Sequence, residues 1–544
     1  MAKLCVRDTL ADHWSREAIV YHIYPRSFHD TSGDGNGDLR GIIEKLDYLN
    51  DGTENSLGIN TIWISPIYTS PFADGGYDVS NFTDIDPIFG DMNTFDTLIK
   101  EAHARGIRVL MDFIPNHTSN RHPWFIESRS SEDNPKRDWY VWQKGRADGT
   151  PPNNWLSRFG GSAWKYDKAT DSYYLHTFLK EQPDLNWYNP HVREAMKAIL
   201  HFWLEKGVDG FRTDAMHHLL YDPEFNDDPR DPKYDPAIHP QYGSLIHSNS
   251  QYANMLPEIT QTFCEALDRP KKGFMFSESY IQIPEMERLY HACNNHLHAP
   301  LNFHLLKLPW SAATYRTFID TFESSLSPDD IPTYVLGNHD TVRVATRLGQ
   351  DRARVAAMLL LTLRGIPFIY YGDEIGMENA VVTKAQAHDP LTKTTLPNQP
   401  GRDGCRTPMQ WSPSSYAGFS ETRPWLPVAT SYRQYNVESE RSLPGSMLSL
   451  YAKLIHLRKQ SPALTRGSYH SKTVSNPHIF SFIREYKKEK MVIILNFSPE
   501  AQIYTYTHAP GTILCSTYMD SADTIPHGKE IVLRASEGII IHIT

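Results

Sequence analysis

The chain has 544 residues, 40% of them hydrophobic and 22% charged, and a formal net charge of −10 with its 25 histidines neutral. Such a composition supports a large buried core and excludes a disordered chain, and the acidic balance excludes a nucleic-acid binder, which would need a basic face. No apolar run approaches the roughly 18 residues that span a bilayer, so no membrane segment is expected. The five cysteines (Cys5, Cys264, Cys293, Cys405 and Cys515) are odd in number and widely spaced. They signal neither a disulfide framework nor a zinc site, and a reducing compartment suits them best. The N-terminal stretch lacks the apolar core of a signal peptide, so a cytoplasmic location is the expectation.

The predicted elements follow one grammar. A strand is read at residues 18–25. Gly58 then ends a helical segment and precedes a β-branched run at 59–65, and Gly106 does the same before 107–113. From His117 to about Asn189 the rhythm breaks into a stretch rich in Trp, Tyr, Asn and Gly, read as an irregular inserted domain. Asn189 caps the next helix, Pro190 suits its first turn, and Gly207 ends it before a strand at 208–213. A Pro- and Asp-rich loop occupies 221–243. Strands are then expected at 273–278, 300–305 and 331–337, and Gly365 precedes the last at 366–370. Helix, glycine and short buried strand in repetition mean βα units. Eight of them predict an α/β fold, a (β/α)8 TIM barrel, with an open doubly wound sheet as the alternative. From 467 onward period-two alternation predicts a C-terminal antiparallel β-sandwich. The expected domains are 1–117 and 190–466 for the barrel, 118–189 for the insertion and 467–544 for the β domain.

In such barrels the C-terminal strand ends build the active site. They carry Asp112, then Asn116 and His117; Arg212 and Asp214; Glu278; and Asn338, His339 and Asp340. Paired carboxylates across a cleft suit cleavage of a glycosidic bond, one ionised to attack and one protonated for the leaving oxygen. Arg212 and Asp214 share a strand face, so Arg212 is expected to keep Asp214 ionised, while the apolar run before Glu278 is expected to keep Glu278 protonated. The plainer alternative is a salt bridge that closes the barrel top. His217 and His218, adjacent in sequence, are read as loop-lining.

The segments DFIPNH, GFRTDA, FSES and GNHD, in that order, resemble the four signature regions of the α-amylase family of glycoside hydrolases (family 13). QPDLN at 182–186 resembles the further region of its oligo-1,6-glucosidase and α-glucosidase branch. The resemblance implies a retaining mechanism with Asp214 as nucleophile, Glu278 as acid/base and Asp340 as transition-state stabiliser, and with His117, Arg212 and His339 holding the sugar. It further implies that Asp74 binds the non-reducing end with Arg406 as its partner, and that Tyr77 stacks on the sugar ring. Cys405 stands where alanine is common in that loop. Ala215, following the proposed nucleophile, accompanies α-1,4 preference in that branch.

The loop DTSGDGNGDLRG at 30–41 lacks the Gly-Lys-Ser/Thr of a phosphate loop. Oxygens at Asp30, Ser32, Asp34 and Asp38, with the Asn36 carbonyl, suit a hard cation, and the resemblance implies Ca²⁺ or Mg²⁺ there; an Asp/Gly turn without metal is the alternative. No organic cofactor is expected. The predicted function is an exo-acting α-glucosidase on short α-1,4 oligosaccharides, with transfer to sugar or alcohol acceptors. An oligo-1,6-glucosidase, a sucrose-active transferase or isomerase, a trehalose-6-phosphate hydrolase and a non-catalytic scaffold are the alternatives. Monomer and homodimer both stay open.

Overall fold

Eight parallel strands form the central sheet of the computed structural model, which describes residues 13–251, 256–268, 273–293, 297–394, 401–520 and 523–543. They are β1 (Val20–Ile23), β2 (Thr61–Ile64), β3 (Arg108–Phe113), β4 (Gly210–Thr213), β5 (Phe274–Glu278), β6 (His298–Leu301), β7 (Thr333–Val335) and β8 (Ile366–Tyr370). The spatial order is β6-β5-β4-β3-β2-β1-β8-β7, every paired neighbour running parallel. Only β6 and β7 lack a ladder. Pro300 has no N–H to offer there, and the Thr333 hydroxyl bridges the seam instead, donating to the Pro300 carbonyl (2.8 Å) and accepting from the Asn302 N–H (3.0 Å). The result is a (β/α)8 barrel.

The sixth strand lies earlier than the sequence suggests. It ends at Leu301, and His304–Lys307 is a short helix rather than a strand continuation. The Asn302 side chain accepts the His304 N–H at 3.0 Å and turns the chain. Gly58, Gly106, Gly207 and Gly365 all adopt positive φ; Gly106 and Gly207 directly follow the C-caps of the helices Met92–Ala104 and Pro190–Glu205, whereas the helices before Gly58 and Gly365 end earlier, at Leu49 and Thr362. At Gly365 a Cβ would also strike the Pro332 carbonyl. The helix Pro190–Glu205 is capped by Asn189, whose side chain accepts the His191 N–H. It buries Val192, Met196, Ile199, Leu200, Trp203 and Leu204, one stripe at helical spacing.

Between β3 and that helix the chain is less irregular than expected. Trp142–Gln143, Ser172–Leu175 and Trp164–Asp167 form a three-stranded antiparallel sheet over a small core of Val141, Trp155, Trp164, Leu175 and Tyr221. At the C-terminus six antiparallel strands, from Ser468–Lys472 to Gly538–Ile543, pack with the pair Gln502–Thr505 and Glu530–Leu533 around Ile479, Val492, Tyr504, Leu533 and Ile541.

The cysteine reading is corrected. Cys264, on the helix Leu256–Leu267, and Cys293 are joined as a disulfide, with Cα atoms 6.0 Å apart. Helix packing closes a gap that spacing alone could not reveal, and the argument for a reducing compartment loses its support. Cys405 and Cys515 are free and buried; Cys5 lies outside the described residues. Among the described residues no helix is long and apolar enough to cross a membrane.

Candidate active site

Register builds the centre of the site. Asp112 of β3 stands opposite Arg212 of β4, and Arg212 opposite Phe276 of β5. The fully buried Arg212 guanidinium therefore lies between the carboxylates at three strand ends. Nη1 donates to Asp112 Oδ1 (2.6 Å) and to Asp214 Oδ1 (2.8 Å), and Nη2 donates to Glu278 Oε2. Asp112 also accepts from the Trp63 indole (3.0 Å). Burial pushes its carboxyl up to about 6 despite Arg212 beside it. Burial likewise pushes the Asp214 carboxyl well up, and the charges of Glu278 and Asp112 add to this against the pull of Arg212. This corrects the expected asymmetry: Arg212 serves both carboxylates, so it does not by itself select Asp214 for ionisation.

The loop after β2 supplies the other wall. The Asp78 carboxylate accepts the N–H groups of Ala73 (2.9 Å) and Asp74 (3.0 Å), which turns Asp74 and Tyr77 inward. The Tyr77 hydroxyl lies 2.8 Å from His339 Nε2 and 3.2 Å from Asp112 Oδ2, and its ring is parallel to that of His339. Gln182, fully buried, has its amide nitrogen 2.9 Å from His117 Nε2 and donates to Asp74 Oδ2 (3.2 Å). Burial lowers His117 to about 4 and takes His339 well below its ordinary value, so both rings are neutral near pH 7. Burial alone would raise Asp340, but the nearby positive charges, of which Arg402, Arg406 and Arg212 persist at neutral pH, outweigh it and hold this carboxylate ionised.

Asp74, Tyr77, His117, Asp214, Glu278, His339 and Asp340 all line one cavity of about 640 Å³. Arg212 lies beneath it and Arg406 behind Asp340. Arg402 lines its inner end; it donates to Asp74 Oδ1 (2.7 Å), lies 3.3 Å from Asp340 Oδ1 and sits over the Phe159 ring. Its outer end is bordered by residues 240–243, Tyr280 and Lys307. Two facing carboxyls over a buried cation, with a third held ionised nearby, can protonate a leaving oxygen and stabilise positive charge at a sugar carbon.

Comparison with known proteins decides the family. Residues 22–467 match the model for the α-amylase catalytic domain. The chain belongs to the α-amylase family. It is 37% identical to an oligo-1,6-glucosidase of Parageobacillus thermoglucosidasius, over 97% of this chain and 99% of that one. It is 40% identical to a probable α-glucosidase of Rhizobium meliloti, over 90% of each. Among solved structures it is similar to an α-glucosyl transfer enzyme, XgtA, at 36% identity, covering 98% of this chain and 99% of that one with a TM-score of 0.91. It is also similar to a trehalulose synthase of Pseudomonas mesoacidophila at 33% identity, covering 98% and 99% with a TM-score of 0.87. It is a glycoside hydrolase.

Within this α-amylase-family site, one assignment changes. Arg402, not Arg406, pairs with Asp74; Arg406 instead donates from Nη2 to Asp340 (2.7 Å) and from Nε to the His339 carbonyl (2.8 Å). Asp389 explains the swap, because its carboxylate accepts from Arg402 Nη2 at 2.8 Å and aims that side chain at Asp74. Gln182, Arg402 and Asp389 are the site residues that sequence reasoning did not single out. Gln182 opens a quoted motif, but nothing in its spacing revealed a hydrogen bond to Asp74. His217 and His218 are buried and line the cavity, their rings 4.1 Å apart, with His217 lowered by burial to about 3.

The Asp30–Asp38 loop lies away from this cavity. Asp30 accepts from the N–H groups of Ser32, Gly33 and Gly35 and from the Ser420 hydroxyl (2.6 Å). Asp38 caps the helix Leu39–Glu44 and accepts from Thr31. Asp34 accepts from the Asn36 N–H, and Asn36 Oδ1 accepts from Arg26 (2.7 Å). These oxygens thus accept hydrogen bonds from donors within the loop, from Arg26 and from Ser420. Among the described residues no group of three or more His, Cys, Asp or Glu side chains is placed to hold a metal ion.

Proposed function

We propose that this glycoside hydrolase is an exo-acting, retaining α-glucosidase that releases α-glucose from the non-reducing end of short α-1,4-linked oligosaccharides such as maltose. It transfers part of that glucose to sugar or alcohol acceptors. The Arg402–Asp74 ion pair carries the reading: with Gln182 donating to Asp74 and its amide nitrogen beside His117, these side chains are tied together at the inner end of the cavity, an arrangement that suits a pocket taking a chain end better than a groove for a through-running chain. In the proposed cycle Asp214 attacks the sugar carbon while Glu278 gives its proton to the leaving oxygen. Water or an acceptor hydroxyl then displaces Asp214 and returns a proton to Glu278. The likeness to an α-glucosyl transfer enzyme supports transfer, and so does the loop at 240–243 beside the outer end. Ala215, lining the cavity in a left-handed conformation, supports α-1,4 preference through the branch correlation. Initial rates on maltose, isomaltose and sucrose test it; a higher kcat/KM on isomaltose or sucrose would replace the linkage assigned here.

The raised Asp214 carboxyl sets a pH dependence. Protonated Asp214 cannot attack, so activity rises with pH as the group ionises. The acid limb of kcat/KM is expected above the ordinary aspartate value of about 3.9. A limb at or below that value contradicts the assignment.

A Ca²⁺ or Mg²⁺ ion at Asp30, Ser32, Asp34, Asn36 and Asp38 is a separate part of the proposal. The density of oxygens supports it, and their existing hydrogen bonds oppose it. Bound metal together with a lower melting temperature after EDTA dialysis would establish the ion; no metal and an unchanged melting temperature would remove it.

A further inference from the structure

The two ends of the cavity differ in how their cations are satisfied. Every arginine around the inner end faces carboxylates: Arg212 has Asp112, Asp214 and Glu278; Arg402 has Asp74, Asp389 and Asp340; Arg406 has Asp340. The outer end carries two more cations, Arg158 from the inserted segment and Lys307 from the last turn of the helix His304–Lys307. Both side chains are exposed to the cavity mouth, and neither has an ion-pair partner among the described residues. Each is held over an aromatic ring instead. The Arg158 guanidinium lies 4.6 Å from the Tyr242 centroid, and the Lys307 ammonium lies 4.7 Å from that of Tyr280. Burial and then Arg158 lower the Lys307 ammonium, and burial, then Arg158 and more weakly Lys307, depress His217.

Two like charges converging on one mouth repel, and rings beneath them fix their direction without neutralising them. An anion entering between them gains from both. With a glucose at the inner end and its anomeric carbon between Asp214 and Glu278, the leaving group points to this mouth. We infer that the outer subsite of this cavity recognises an anionic group, a phosphate monoester or a carboxylate, carried by the leaving sugar or by the acceptor. The inference rests on the glucosidase reading and leaves its bond chemistry unchanged.

The test is a substrate series within one linkage: maltose, maltose phosphorylated at O6 of its reducing-end glucose, and maltobionate, whose reducing end is a carboxylate. The kcat/KM for an anionic member is expected to exceed that for maltose about tenfold, mainly through KM, and the advantage shrinks as salt screens it. Arg158→Gln and Lys307→Gln each reduce the anionic-to-neutral ratio severalfold, and the double variant brings it to about one. An advantage for the phosphate alone identifies a phosphate subsite, and an advantage for both members a general anion subsite. A ratio of one or less for both in the parent enzyme, or a ratio the double variant does not change, overturns the inference. If isomaltose proves the better substrate, the same series on that disaccharide gives the ratio. Cleavage with no preference therefore sinks this inference alone, whereas no glucose release from any α-glucoside sinks the functional reading with it.

Discussion

Replacing Asp214 by asparagine is expected to reduce glucose release by on the order of 10⁴-fold or more, the scale seen when a covalent nucleophile is removed from an enzyme whose other groups remain. The substitution keeps the side-chain volume and an oxygen that can still accept from Arg212. It also removes a carboxyl that burial and two neighbouring carboxyls disfavour as an anion. The melting temperature should therefore stay level or rise, which separates lost chemistry from lost folding. Turnover of maltose and a thermal melt on the same preparation check it. Glucose release within tenfold of the parent would mean that Asp214 is not the attacking group.

Arg212→Met is expected to be the most disruptive change to the barrel mouth. The guanidinium is wholly buried and satisfies three carboxylates that have little access to solvent. Removing one partner of a buried ionic cluster costs about 3–5 kcal/mol, because the remaining charges stay buried without compensation. The sign with pH follows. Protonation neutralises stranded carboxylates, and Asp112 is already raised to about 6 with Arg212 present. The deficit in stability relative to the parent should be largest near neutral pH and shrink on acidification. Chemical denaturation of parent and variant at a neutral and an acidic pH measures this. A variant as stable as the parent at neutral pH would show that the cluster is not held by this cation.

Much of the architecture was legible because it is local. A glycine with positive φ can end a helical segment where the chain must reverse into a strand. Gly106 and Gly207 announce β3 and β4 for that reason, while Gly58 and Gly365, also at positive φ, mark the turns into β2 and β8 after the preceding helices have ended. The three carboxylates were legible because a barrel gathers strand ends at one face, so Asp214, Glu278 and Asp340 needed only their strands to be found. The sixth strand was misplaced because PLNFHL alternates like a strand. The turn it makes instead depends on one side-chain hydrogen bond from Asn302.

What the sequence by itself determined is the barrel, the family to which the chain belongs and that Asp214, Glu278 and Asp340 meet at the mouth of that barrel. Those depend on backbone periodicity and on motif order. Which partner each side chain takes was decided only by the tertiary structure. Arg402 and Arg406 lie on one loop, and Asp389 selects which of them reaches Asp74. Arg212 was read as the guardian of one carboxylate, but strand register gives it three. Cys264 and Cys293 become a pair only when their segments pack, and Arg158 and Lys307, far apart in the chain, come to line one cavity only in the finished fold. Electrostatic partnership falls off over a few ångströms of space, and spacing along the chain carries no measure of that distance.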